Sequence, residues 1–256
     1  MTLSRPILGA VLAIILVTSS AADTAEKIQP ITTDNPVVVE LYTSQGCSSC
    51  PPADSYLGEL AKRRDILPLA LHVDYWDYIG WKDKFASPAA TQRQRAYVHV
   101  MHDRMVYTPQ MIIDGVAESV GSDRGKVESL ITEARARTKL PIAFWRDEAG
   151  KDWVEVGDGP KPEGGIATVY VALYDGKHET PVQRGENAGT TLTEFNIVRE
   201  WRPIGKWSGQ KTRFPIVIDD ADDDYEACAV IVQQGEVGPI LGASAMKMAL
   251  PQGAAP

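Results

Sequence analysis

The chain has 256 residues, a length for one large or two modest domains, and a globular composition of 44% hydrophobic and 23% charged residues. That composition excludes the disordered, collagenous and multi-span membrane classes. The net charge is −8 and Lys and Arg gather nowhere, which argues against nucleic acid as a partner, because phosphate binding needs a concentrated basic face.

Residues 1–22 read as an export signal. Arg5 supplies the positive start, residues 7–17 are apolar, and Ser20, Ala21 and Ala22 offer small residues for cleavage after Ala22. The apolar run is too short to span a bilayer comfortably, so no stable membrane insertion is expected once the signal is removed. The expected location is the periplasm or the medium, where disulfides persist.

Residues 23–35 form a polar linker. From residue 36 strands and helices alternate. Residues 37–42 are a β-rich run behind Pro36, and Ala53, Leu57, Leu60 and Ala61 then recur at helical spacing. Pro51 and Pro52 suit that helix's first turn, whose N–H groups lack intrahelical partners in any case. Residues 66–73 are a second apolar strand, 89–101 are mostly helical behind Pro88, and 110–113 are a third strand ending in the turn Asp114-Gly115. Val127, Leu130, Ile131 and Ala134 mark one face of a last helix. This alternation implies βαβ units and partly parallel pairing over residues 36–138.

The texture changes near Lys139-Leu140-Pro141. Residues 142–145, 153–156, 167–174, 195–201, 214–218, 227–233 and 240–246 are short β-type runs between turn signals such as Asp175-Gly176. They suit an all-β, sandwich-like domain over residues 139–250. The acidic run 219–224 lacks the Gly and terminal Glu of an EF-hand loop and reads as a solvated turn. Residues 251–256 read as a disordered tail.

The chemistry centres on Cys47-Ser-Ser-Cys50. An apolar strand, a short turn with Gly46 and then a CxxC opening a helix place the pair at a helix N-terminus, whose partial positive charge and unpaired N–H groups stabilise a thiolate. Cys47 is the expected exposed nucleophile and Cys50, one turn further in, the resolving thiol. Two sulfurs carry the electrons, so no organic or metal cofactor is required. Cys228, the third cysteine, reads as a small buried hydrophobe. The stretch from Asp74 to Trp81, with Tyr75 and Trp76, follows the second strand and is read either as an aromatic wall beside the redox pair or as packing between the two halves.

Tyr107-Thr108-Pro109-Gln110 resembles a pattern of the thioredoxin superfamily, in which a Thr-Pro peptide in the cis form faces the redox pair. That resemblance implies a cis Pro109 and a Thr108 backbone free to pair with a substrate chain. Three segments then sharpen the likeness: Glu40-Leu-Tyr-Thr-Ser-Gln-Gly-Cys-Ser-Ser-Cys-Pro-Pro-Ala-Asp54, then His72-Val-Asp-Tyr-Trp-Asp77 through Gly80-Trp-Lys-Asp83, and Tyr107-Thr-Pro-Gln-Met111. Together they resemble a secreted family catalogued as domain of unknown function 1223, within the thioredoxin-like superfamily. The resemblance implies an α/β thioredoxin-like domain followed by the all-β domain, and a redox motif of unknown substrate. The loop ahead of the pair lacks the usual tryptophan. Glu40 is the nearest candidate for the buried proton acceptor of that superfamily, though one residue further from Cys47 than the pattern puts it, and one step along a strand reverses the face.

The leading expectation is a thiol–disulfide oxidoreductase acting on protein or small-molecule thiols and disulfides, with an unidentified redox partner. The alternatives are a non-enzymatic envelope binding protein with a structural Cys47–Cys50 bond, and a Cu or Zn carrier using those cysteines with His72, or with His99 and His102. The His99-x-x-His102 spacing fits zinc poorly, so no metal site is expected.

Overall fold

The computed structural model describes residues 25–218 and 225–248. The expected export signal, the acidic run 219–224 and the tail lie outside the described residues.

The first half contains β1 (Glu26–Ile28), β2 (Val37–Thr43), α1 (Pro51–Leu60), β3 (Ile66–His72), α2 (Pro88–Val100), β4 (Gln110–Ile113), β5 (Ala117–Val120) and α3 (Arg124–Arg135). The second half adds β6 (Ile142–Arg146), β7 (Asp152–Val156), β8 (Ala167–Pro181), β9 (Thr191–Trp207), β10 (Thr212–Pro215), β11 (Ala227–Gln234) and β12 (Ile240–Lys247). Local chemistry starts the helices. Pro51 and Pro52 occupy the first turn of α1, Ser87 accepts from Ala90 N–H ahead of α2, and Asp123 accepts from Lys126 N–H ahead of α3.

The expected fold class, an α/β thioredoxin-like domain followed by a separate all-β one, is overturned. The described residues form a mostly β structure of two sheets, with three α-helices. One sheet has eight strands in the order β12-β11-β8-β9-β3-β2-β4-β5 and so runs through both halves of the chain; the other is β1-β6-β7-β10. Among the described residues, only β2–β3 and β3–β9 pair in parallel. The physical reason lies in β8 and β9. These strands are 15 and 17 residues long and antiparallel, and β9 then lies beside β3. Asp175-Gly176, expected to end a strand, instead lies within β8 just past a bulge at Leu173/Tyr174. A strand also forms inside the segment read as a linker, where β1 pairs with β6.

The large sheet curls until β12 meets the first half again. Ile31 N–H donates to Ala245 C=O (2.8 Å) and Ile240 N–H to Asp114 C=O (2.9 Å). One core therefore includes Val38 and Leu69 together with Ile231, Ala243 and Ala245. A second core lies under α1 and α3, with Leu41, Leu57 and Ile131. A third is sheet-on-sheet, where Phe144 and Val154 of the small sheet meet Val171 and Val230 of the large one. Cys228 sits fully buried in that third core, as its sequence reading expected.

A buried ion pair locks the first core. Period-2 alternation turns Glu40 of β2 away from α1 and toward α2, where its carboxylate accepts from Arg93 Nε (2.7 Å) and Nη2 (2.8 Å). Tyr97 (2.7 Å) and Tyr42 (3.0 Å) donate to the same group. Arg93 reaches on to Gln233 of β11 (2.8 Å) and lies 3.9 Å from the Trp201 ring centre on β9. One guanidinium thus ties α2 to three strands. Arg93→Met strands a buried carboxylate and should lower the unfolding free energy in urea by about 3–5 kcal/mol. Adding Glu40→Gln should return part of that loss, because no unpaired charge then remains.

Candidate redox site

Cys47 and Cys50 form a disulfide at the head of α1. The turn between β2 and α1 carries it, and Cys50 C=O accepts from Ala53 N–H (2.8 Å) and Asp54 N–H (3.1 Å) to start the helix. Cys47 was expected to be exposed. It is not: its relative exposure is 1% and that of Cys50 is 0%. Gly46 lies against Trp76, close enough that any side chain there would press on the Trp76 Cβ.

Thr108–Pro109 is a cis peptide. Ser49, between the two cysteines, donates from its hydroxyl to Thr108 C=O (3.4 Å), so the Thr108–Pro109 segment does face the redox turn. Trp76 Nε1 donates to the Thr108 hydroxyl (2.8 Å), bringing those two expected groove residues together. Tyr75 bridges to α2, its hydroxyl donating to Gln94 (3.1 Å), while it also bonds the Thr108 side chain. Glu40 is corrected as a proton acceptor. It points to the face of the sheet opposite α1 and is consumed by Arg93 and the two tyrosines.

A different group of acids occupies the face that α1 covers. Asp54 lies one turn after Cys50, and its carboxylate accepts from Thr43 Oγ1 at the end of β2 (2.8 Å). At the end of β3, the His72 ring bonds Asp83 through Nδ1 (2.7 Å), with Nε2 3.8 Å from Glu194 of β9. Asp83 also accepts from Gln45 N–H (2.9 Å), directly ahead of the redox turn. Glu194 accepts from Gln45 Nε2 (3.0 Å) and Thr180 Oγ1 (2.9 Å). All of these side chains are buried.

The charges follow from that enclosure. Burial pushes the Asp54 carboxyl up to about 7, against the pull of His72 and Thr43. Burial works the other way on His72, but Asp83, Glu194 and Asp54 outweigh it and raise the imidazole to about 9. At neutral pH the cluster therefore holds a charged imidazolium between acids, one of which is poised to exchange a proton.

A second set of contacts arrives from the β8–β9 loop. Asn187 Nδ2 donates to the C=O groups of Gln45 (2.9 Å) and Cys47 (3.0 Å), and Glu186 accepts from Ser48 N–H (3.2 Å). Asp54, Asp83, Glu194, Glu186 and Asn187 were not anticipated as site residues, and His72 was weighed only as a metal ligand. Asp54 left a signal, being four residues after Cys50 on a helix that Cys50 opens, and His72 and Asp83 stand in the second motif of the resemblance. Among the described residues, no group of three or more His, Cys, Asp or Glu side chains is arranged to hold a metal ion.

Residues 38–233, which contain this whole site, match the family model described as "Protein of unknown function (DUF1223)". The chain belongs to the DUF1223 family. A crystal structure of protein AGR_C_4864 from Agrobacterium tumefaciens is similar to this DUF1223 chain, with 29% identity, a TM-score of 0.73, and coverage of 88% of this chain and 99% of that one. HBP35 of Porphyromonas gingivalis shares the fold alone, at 10% identity and a TM-score of 0.58 over 88% of this chain and 79% of its own. No curated protein matches.

The buried cluster makes stability depend on pH in a definite sense. The folded state holds a proton on Asp54 up to about 7 that the unfolded chain releases near 3.9, so this contribution falls as pH rises between those values. His72 stabilises the fold fully below about 6.5, and that contribution is lost as pH rises toward 9. Urea unfolding of the wild type should weaken across both windows, by on the order of 1–3 kcal/mol in each. Asp54→Asn should flatten the acidic window and His72→Gln the alkaline one, whatever each does to overall stability.

Proposed function

We propose that this DUF1223 protein is an exported thiol–disulfide oxidoreductase of the periplasm or the medium, exchanging disulfides with protein or small-molecule thiols. The observation that carries the reading is the Cys47–Cys50 disulfide at the head of α1, one helical turn before the buried Asp54, whose carboxyl burial pushes up to about 7.

In the reductive direction, the Cys47 thiolate attacks one sulfur of a substrate disulfide, forms a mixed disulfide and expels the other substrate sulfur as a thiolate. Cys50 then passes its proton to the Asp54 carboxylate and attacks the Cys47 sulfur. The Cys47–Cys50 bond forms, the second substrate thiolate leaves, and the substrate has gained two electrons. Oxidation of a dithiol is the same sequence reversed. The helix end supports the attacking thiolate, and His72, Asp83 and Glu194 hold the electrostatic setting of Asp54.

A second reading, an envelope binding protein with a structural disulfide, is favoured by the burial of both sulfurs. The two readings separate in the cell. Cys50→Ser should accumulate mixed disulfides on non-reducing gels and Cys47→Ser few or none, whereas a structural bond gives matching, adduct-free behaviour. Redox equilibration with glutathione is the second arm, because a structural disulfide lies below about −300 mV. In the exchanging protein, Asp54→Asn should slow resolution of a mixed disulfide on the order of 100-fold at neutral pH, the scale of a lost general base. That deficit should shrink as pH rises and Cys50 ionises unaided.

A further inference from the structure

The β8–β9 loop brings a negative charge to the redox turn that disulfide exchange does not need. Residues 182–190 close on themselves, with Val182 N–H donating to Thr190 C=O (2.9 Å), Gly189 N–H to Val182 C=O (2.8 Å) and Thr190 Oγ1 to Asn187 C=O (2.7 Å). Gly185 (φ +79°) and Gly189 (φ +82°) supply the left-handed backbone of the turn, which other residues rarely adopt. The closed loop directs Asn187 inward, where it is buried and clamps the C=O groups of Gln45 and Cys47. That anchor carries its neighbour Glu186 over Ser48, whose N–H donates to the carboxylate.

Ser48 directly follows Cys47, so Glu186 draws on a donor of the very turn that holds the attacking sulfur. Hydrogen bonds from the Ser48 side chain and backbone hold the Glu186 carboxyl below the usual carboxylate range, so it stays charged wherever a thiolate forms. The elements packed around the turn carry further charges. Asp54, Asp83 and Glu194 lie beneath it with His72, Asp74 and Asp77 lie on the Trp76 side with Lys82, and Arg184 lies on the same loop. A thiolate is helped by cations and N–H donors, not by a carboxylate beside it.

We propose that Glu186 is a positioning residue that restrains thiolate formation on Cys47 and makes it prefer neutral or cationic thiols and disulfides over anionic ones. This rests on the oxidoreductase reading of the same site and adds its substrate class. Like charges facing each other across water discriminate only weakly, by about two- to fivefold.

The test is alkylation of the reduced full-length chain at low salt, with Cys47 followed by peptide mass. Iodoacetamide is the neutral probe and iodoacetate the anionic one. Glu186 is exposed and its amide is isosteric, so Glu186→Gln leaves the fold in place. That variant should raise the iodoacetate-to-iodoacetamide rate ratio about two- to fivefold, move half-ionisation of Cys47 to lower pH, and lose its difference from wild type at high salt. Glu186→Asp should keep the wild-type ratio. An unchanged ratio in Glu186→Gln, a changed ratio that persists at high salt, or a Cys47 that resists both reagents in both proteins overturns the proposal. Alkylation reads Cys47 whatever the physiological substrate is. If Cys50→Ser still traps mixed disulfides, an unchanged ratio removes Glu186 alone, whereas the absence of trapped adducts removes the oxidoreductase reading.

Discussion

The architecture turns on one narrow junction, where β9 lies parallel to β3 at Ala70 and Ile197. Pro68 lies in β3, has no N–H to give, and its C=O accepts from Asn196 Nδ2 (2.8 Å). Asn196 takes a left-handed backbone (φ +49°) to make that bond, a conformation asparagine tolerates better than most residues. On the helix side, the Phe195 ring lies directly over Gly58 of α1, where any Cβ would overlap it. Side-chain bonding and a close approach thus do what a long ladder does elsewhere in the sheet. Through this junction the second half of the chain delivers Glu194, Thr180 and the 182–190 loop to the redox turn.

Burial of charge is then organised by the two faces of β2 and β3. Glu40 faces α2 and is paired with Arg93 and two tyrosine hydroxyls. Thr43 and His72 face the other way, among Asp54, Asp83 and Glu194, where His72 supplies a buried imidazolium. Three acids with one such partner cannot all ionise cheaply in a low-dielectric site, and Asp54 carries the deficit. The first network is fully paired and belongs to stability. The second sets three acids against one imidazolium.

The covered disulfide gives the site its other constraint. Both sulfurs are buried, and groups touching the turn come from widely separated segments: Trp76, the Thr108–Pro109 peptide, Asn187 and Glu186. The cover over the Cys47–Cys50 bond is therefore built by three packed segments rather than by the CxxC turn alone. The family match spans all of them, since residues 38–233 include the loop as well as the cysteines.

Periodicity in the sequence determined what depends on neighbours within about one turn or one strand. It placed β2, α1, β3, β4 and α3 close to where they form and put the cysteine pair at a helix start, while the family resemblance set Thr108–Pro109 opposite that pair. It also carried the warning against Glu40, because a one-residue offset in a strand reverses the face. Strand pairing across the sheet was beyond it. Nothing in Asp175-Gly176 announces that β8 runs on past a bulge, or that β9 will join β3 and merge the halves into one sheet. Those outcomes depend on cross-strand partners far apart in the chain. The acid group and the Glu186–Asn187 cover follow from the same pairing. Their members lie on β3, α1, β9 and the β8–β9 loop, and only the folded sheet brings their charges close enough to shift one another.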